Sequence, residues 1–375
     1  MQIDERSLKF IPYQPYQLDT VYTISIGSDI ITKDGHAIKK EHKWKFMVRE
    51  PMVAFLSPNA RDSSIWALDL KGNPPQRLTR EGNSVIAFDV APSGDFLIYM
   101  VIDFSNAGMD LWKVSRKGND DELLLDCGFD RCSRVAISPN SQYIAYTRDS
   151  SGKRKDRPFG SPRIWLLNLQ TGENSPVYED EEILGFNIYW SPDSNRIASF
   201  DGLSNKIRII DLAQKKQYTF SSNTSDPIAW APDSNRILFT NLVQTNNRVV
   251  THVLIGDVSL EKEQTLIGEN DGEDHSYNSL AWSLREDQAV LSLRRKEDSL
   301  EQVLRLFNPS TQEGFIIASQ PDYTYTLPQW NPWGNLLIFQ QAKLQGTYNP
   351  EIVLWQLGFS EPLILTKGLM PHWLP

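Results

Sequence analysis

The chain has 375 residues, of which 40% are hydrophobic and 23% charged, with a net charge of −9. That length holds one large domain or two to three ordinary ones, and the acidic balance argues against a nucleic-acid partner, which needs a basic footprint. The longest apolar run, FLIYMVI at 96–102, is too short to span a membrane. MQIDERSLKF at the start lacks the apolar core of a signal peptide, so if the protein is exported that signal has been removed.

In chain order, residues 1–50 stand apart from the rest. They hold a Phe-x-Pro stretch at 10–12, the alternating run TVYTISI at 20–26, a Lys-Asp-Gly turn at 33–35 and a Trp44-x-Phe46 stretch. Residues 53–79 then read as three strands separated by turn residues.

From there the chain repeats itself. FDVAPSGDFLIY (88–99), VAISPNSQYIAY (135–146), IYWSPDSNRIAS (188–199), IAWAPDSNRILF (228–239) and PQWNPWGNLLIF (328–339) align on a proline. LAWSLREDQAVL (280–291) has Leu284 where the proline stands elsewhere, and MPHWLP closes the chain. The anchors Pro92, Pro139, Pro192, Pro232, Leu284, Pro332 and Pro375 are 47, 53, 40, 52, 48 and 43 residues apart. Two residues before them stand Val90, Ile137, Trp190, Trp230, Trp282, Trp330 and Trp373. The proline presets φ for a turn, and the Asp, Ser, Asn and Gly that follow favour the turn over a continued strand. Gly94 and Gly334 replace Ser194 and Ser234 in sister copies, which predicts positive φ at or near that position.

Each anchor is followed by an apolar strand and then an alternating one, such as RIWLLNL (163–169), KIRIIDL (206–212) and EIVLWQL (351–357). A weaker fourth strand follows, such as KQYTF (216–220) or EPLILT (361–366). Four short strands per 40–50 residues with no helical periodicity predict an all-β chain and a β-propeller. The terminal strand supplies the one that residues 53–79 lack, so the ring closes on a blade shared by the two ends, with no open edge between first and last blades. The expected count is seven blades, with domains at 1–50 and 51–375.

The Ser/Ala-Pro-Asp run preceded by Trp resembles the TolB-like, WD-repeat-like propellers over residues 51–375, with one blade more than the TolB pattern. The likeness implies the fold more strongly than any function. The peptidase relatives carry a hydrolase domain with a Gly-x-Ser-x-Gly elbow, and neither that motif nor chain enough for the domain is present. Residues 1–50 resemble the C-terminal part of a bacterial Ig-like domain, which implies an extracytoplasmic, membrane-tethered protein. Any membrane contact is then expected only through an anchor outside this sequence.

Little chemistry is legible. None of the five histidines has metal-ligand spacing, and neither a metal nor a cofactor is expected. His372, beside Trp373 on the last inner strand, is read as structural, with the central channel as the alternative. Cys127 and Cys132 are either a local disulfide, given an oxidising compartment, or two free buried thiols. ENDGEDH at 269–275 lacks the register of a calcium loop; with EDEE at 179–182 and KRKDR at 153–157 it belongs to the face that carries the long loops. Phe129, Tyr277, Tyr323 and Tyr325 are read as loop aromatics on that face and as the candidate partner-binding residues. The expectation is a non-enzymatic binding or scaffolding propeller for a protein or glycan ligand. The alternative is a glycan-active hydrolase or lyase with carboxylates at the channel mouth.

Overall fold

A computed structural model describes residues 2–3, 8–9, 14, 16–18, 20–28, 40–57, 63–80, 84–154, 157–245, 248–268, 276–294 and 300–375. No helix occurs among them, and so none is long and apolar enough to cross a membrane. The chain divides into two units, Met1–Pro51 with Pro375, and Met52–Leu374.

In the first unit, strands Thr20–Ile26 and His42–Val48 pair antiparallel, from Thr20 opposite Val48 to Ile26 opposite His42. Tyr22 and Phe46 stack at 5.6 Å between ring centroids, and Tyr16 packs on both. The Tyr22 hydroxyl accepts the Gln17 N–H at 2.8 Å. The Lys-Asp-Gly turn expected at 33–35 lies outside the described residues.

The second unit is built from antiparallel four-stranded meanders. Four are consecutive in sequence. They comprise Phe186–Trp190 to Gln217–Ser221, Ala229–Trp230 to Lys262–Ile267, Ser276–Trp282 to Gly314–Ala318, and Tyr323–Trp330 to Leu363–Lys367. A fifth sheet has the order Leu369–Leu374, Met52–Leu56, Ile65–Asp69, Gln76–Arg77. Its inner strand therefore comes from the end of the chain, with Trp373 opposite Val53 and His372 opposite Ala54. The remaining sheet has eight strands, in two four-stranded halves spanning Val85–Leu125 and Arg131–Pro176. A single parallel pairing, Met109 with Arg131, joins the halves.

Second strands such as Met52–Leu56 and Ala289–Arg294 are nearly continuous apolar runs buried on both faces, and the faces between neighbouring sheets are mainly apolar. Ala229, Leu238 and Val253 of one sheet pack with Leu280, Leu291 and Val303 of the next, and equivalent clusters recur between other sheets.

The turns after the inner strands share one geometry. Ser138, Ser191, Ala231 and Asn331 donate their N–H to the carbonyl five residues on, at 2.8–2.9 Å. The residue three beyond each returns its own N–H to close a β-turn with proline at its second position. That closing residue has positive φ in the five copies that keep the proline and continue beyond it: Gly94 +70°, Ser141 +56°, Ser194 +64°, Ser234 +57° and Gly334 +75°. Where serine stands, its hydroxyl also works between sheets. Ser194 Oγ accepts the Asn140 N–H and Ser234 Oγ the Asp193 N–H, both at 3.0 Å. The tryptophans latch adjacent inner strands too. The indole N–H of Trp190 reaches Ala136 O, that of Trp230 reaches Tyr189 O and that of Trp373 reaches Gln329 O, at 3.0–3.1 Å.

Candidate functional site

The inner strands enclose an axial cavity of about 530 Å³. Its wall is made by the innermost strands of the sheets, from which both the tryptophan position and the residue before it contribute. The position before the tryptophan reads Asp89, Ala136, Tyr189, Ala229, Ala281, Gln329 and His372. Asp89, Ala136, Tyr189, Ala229, Ala281 and Gln329 line the cavity together with Trp190, Trp230, Trp282 and Trp330. Pro139, Pro192, Pro227 and Pro328 complete much of the remaining wall.

The wall is polar on one arc. Gln329, His372 and Asp89 come from three adjacent inner strands, and ring closure brings the last to the first. The Gln329 amide lies 3.2 Å from His372 Nδ1, and Asp89 Oδ1 lies 3.5 Å from the same nitrogen. The Asp89 carboxylate also accepts backbone N–H groups, Oδ1 from Val90 at 2.8 Å and Oδ2 from Ile137 at 2.7 Å. Phe88 packs on the imidazole at 4.7 Å. Burial raises Asp89 to about 6, its backbone donors notwithstanding, and lowers His372 to about 4. The two side chains expose 24% and 22% of their surface. Packed strands surround both groups on their remaining sides, so desolvation by the protein prevails over the local contact with water. At neutral pH the arc holds a carboxylate beside a neutral imidazole. Among the described residues no three His, Cys, Asp or Glu side chains converge as a metal cluster.

The expected partner-binding aromatics do not come together. Phe129 sits at a turn tip and is 69% exposed. Tyr323 and Tyr325 belong to strand Tyr323–Trp330, not to a loop. Tyr325 is fully buried, packs edge-on to Phe339 and accepts the Gln320 N–H at 2.8 Å. A register shift between Thr326 and Gln329, with Leu327 at φ +53°, breaks the alternation and hides the start of this strand from a pattern reading. Tyr277 likewise lies in strand Ser276–Trp282, and its side chain is outside the described residues. Equivalent shifts place Arg134, Asn187 and Met370 at positive φ in their inner strands.

Of the charged runs, 269–275 lies outside the described residues, and so do the side chains of 153–157 other than a backbone hairpin, Ser151–Arg154 with Arg157–Phe159. In 179–182, Glu181 pairs with Arg163 at 3.4 Å while 86% exposed. Such a pair contributes little. Cys127 and Cys132 are joined in a disulfide, which leaves no free thiol. The polar arc itself escaped the pattern reading, although the signal was there: the column before the tryptophans is where three polar residues depart from Ala.

The sheet order, the shared turn and the closure by the terminal strand decide the fold. It is a β-propeller. No family model matches the chain and no curated protein matches it, but solved structures do. The β-propeller domain of the trilobed protease from Pyrococcus furiosus superposes with a TM-score of 0.58 at 14% identity, over 84% of this chain and 94% of that one. A prolyl endopeptidase superposes with a TM-score of 0.62 at 11% identity, over 86% of this chain and half of that one. TolB from Acinetobacter baumannii gives 0.49 at 15% identity, over 87% and 83%. Identities this low speak for the fold alone. They nonetheless correct the expectation of a non-enzymatic chain. That expectation rested on a missing motif, and enzymes are among the proteins that share this propeller, so the architecture excludes no catalysis.

Proposed function

We propose that this is a ligand-binding propeller of seven blades that acts outside the cytoplasm and holds an extended, apolar segment of a partner protein in its axial channel. The observation that carries the reading is the indole-walled cavity of about 530 Å³, within the size range of ligand sites. Indole and proline walls favour an apolar or aromatic segment, and the arc of Gln329, His372 and Asp89 offers one place for a polar group. The long-loop face, with Phe104 and Phe129 exposed at 78% and 69%, is suited to meet the body of the partner. The Cys127–Cys132 disulfide supports an oxidising compartment. The hairpin Thr20–Ile26 with His42–Val48 is compatible with part of an Ig-like sheet.

The test is a peptide-array selection with the purified protein, followed by fluorescence titration of the peptides it retains. Ala281→Trp fills the channel from the inner strand next to that of Gln329. Retained peptides should share an apolar core and bind this variant at least tenfold more weakly, with its thermal melt unchanged. Equal binding to both proteins refutes a channel site.

A further inference from the structure

The geometry points to a divalent metal site on the channel wall, in which Asp89 Oδ1, His372 Nδ1 and the amide oxygen of Gln329 ligate a first-row transition ion. Three side chains that can each offer a lone pair converge there: the Gln329 amide and Asp89 Oδ1 both lie beside His372 Nδ1, and with the ring proton on Nε2 that nitrogen faces the space between them.

The separations match the edges of a coordination polyhedron. Donors about 2.1 Å from a common ion stand roughly 3.0 Å apart at an octahedral edge and roughly 3.4 Å apart at a tetrahedral one. The arc shows 3.2 Å from the Gln329 amide to Nδ1 and 3.5 Å from Nδ1 to Oδ1. The amide presents either its oxygen or its nitrogen to that point by a half-turn of its last torsion, so the oxygen reaches the ion without moving the strand.

The support that holds such ligands in place is present. The Asp89 carboxylate is fixed by the Val90 and Ile137 N–H groups, the imidazole by Phe88, and the Gln329 backbone carbonyl by the Trp373 indole. One imidazole, one carboxylate and one amide oxygen form the mixed nitrogen and oxygen set that suits zinc or manganese. The alanines at the same level, Ala136, Ala229 and Ala281, leave the ion's remaining positions open to the cavity, where water or a ligand oxygen completes the shell.

This site shares the channel with the function proposed above but does not depend on it, because the ion alone is the probe. The full chain is freed of metal with a chelator, equilibrated with zinc or manganese chloride and followed by calorimetry and elemental analysis. One equivalent per chain is expected. His372→Gln and Asp89→Asn should each weaken it at least tenfold, and Gln329→Glu, which adds a charged ligand, should tighten it at least tenfold. Cobalt loading gives an independent signature, a visible absorption band that His372→Gln removes. Ala281→Trp, which tests the channel as a ligand site, keeps all three donors and should keep the ion. If the wild-type chain takes up neither ion, the proposal is overturned. It is equally overturned if His372→Gln and Gln329→Glu hold the ion as the wild type does, since the metal then sits on other side chains. Because the wild type and Gln329→Glu carry the result by themselves, a substitution that unfolds the chain does not rescue the idea.

Discussion

His372→Gln and Asp89→Asn should change the pH dependence of stability in opposite directions. The folded chain holds the Asp89 proton up to about pH 6, against 3.8 for an ordinary aspartate. Its contribution to stability is therefore full below pH 3.8 and is lost as pH rises through 6. The folded chain keeps His372 neutral down to about pH 4, against 6.5 ordinarily. Its contribution is full above pH 6.5 and is lost as pH falls through 4. At about 1.4 kcal/mol per pH unit, each group contributes about 3 kcal/mol across its window. The two nearly cancel in the wild type between pH 4 and 6. Removing the imidazole leaves Asp89 alone, and stability should rise by about 3 kcal/mol as pH falls from 6 to 4. Removing the carboxylate leaves His372 alone, and stability should fall by about as much as pH drops from 6.5 to 4. Urea denaturation at fixed ionic strength from pH 4 to 7, in metal-free buffer, measures both. The difference between the two variants cancels every group they share, so parallel pH profiles would refute the reasoning.

Other consequences follow from the frame. Tyr325→Ala should cost about 3–5 kcal/mol in denaturant unfolding as a core truncation, whereas Phe129→Ala should stay within about 0.5 kcal/mol; a Tyr325 variant as stable as the Phe129 one would mean the ring is not the packing element described. Ser194→Ala removes the acceptor for Asn140 N–H while keeping a side chain at φ +64°, a loss of about 1 kcal/mol. Ser194→Gly loses the same bond but relieves a left-handed backbone by a similar amount, so the glycine variant should be the more stable of the two by about 1 kcal/mol, and the reverse order contradicts the strain argument. Reducing the Cys127–Cys132 bond, which spans a sequence separation of 5, should lower stability by about 2 kcal/mol on the chain-entropy estimate. A thermal melt with and without reductant measures it, and an unchanged melt would show that the loop is already constrained by its packing.

Much of the fold is written locally. The β-turns carry their instructions in four or five consecutive residues: proline where φ is fixed, Gly or Ser where φ turns positive, and a hydroxyl or amide to seal the turn. The strands announce themselves by period-two alternation, as in Thr20–Ile26, or by short apolar runs, as in Met52–Leu56. Even the closure is legible, since MPHWLP is an inner strand without a sheet and Met52–Leu56 begins a sheet without an inner strand. Where a bulge interrupts the alternation the local pattern breaks, and Tyr325 then looks like a loop residue. Its burial depends on a two-for-one register against Leu336–Lys343 that no local pattern records.

The site obeys a different rule. Asp89, Gln329 and His372 are ordinary polar residues at one repeat position, and nothing near any of them in sequence marks it out. They become one arc because the ring closes and sets the last inner strand between its neighbours, 3.2 Å from Gln329 and 3.5 Å from Asp89. The shifts toward about 6 and about 4 likewise arise from the surrounding sheets and not from adjacent residues. The sequence by itself therefore determined the strands, their turns and the way the ends meet, because those depend on interactions within a few residues. Tertiary structure alone decided which side chains face the axis together and what their burial does to their charge, because both depend on strands hundreds of residues apart in the chain.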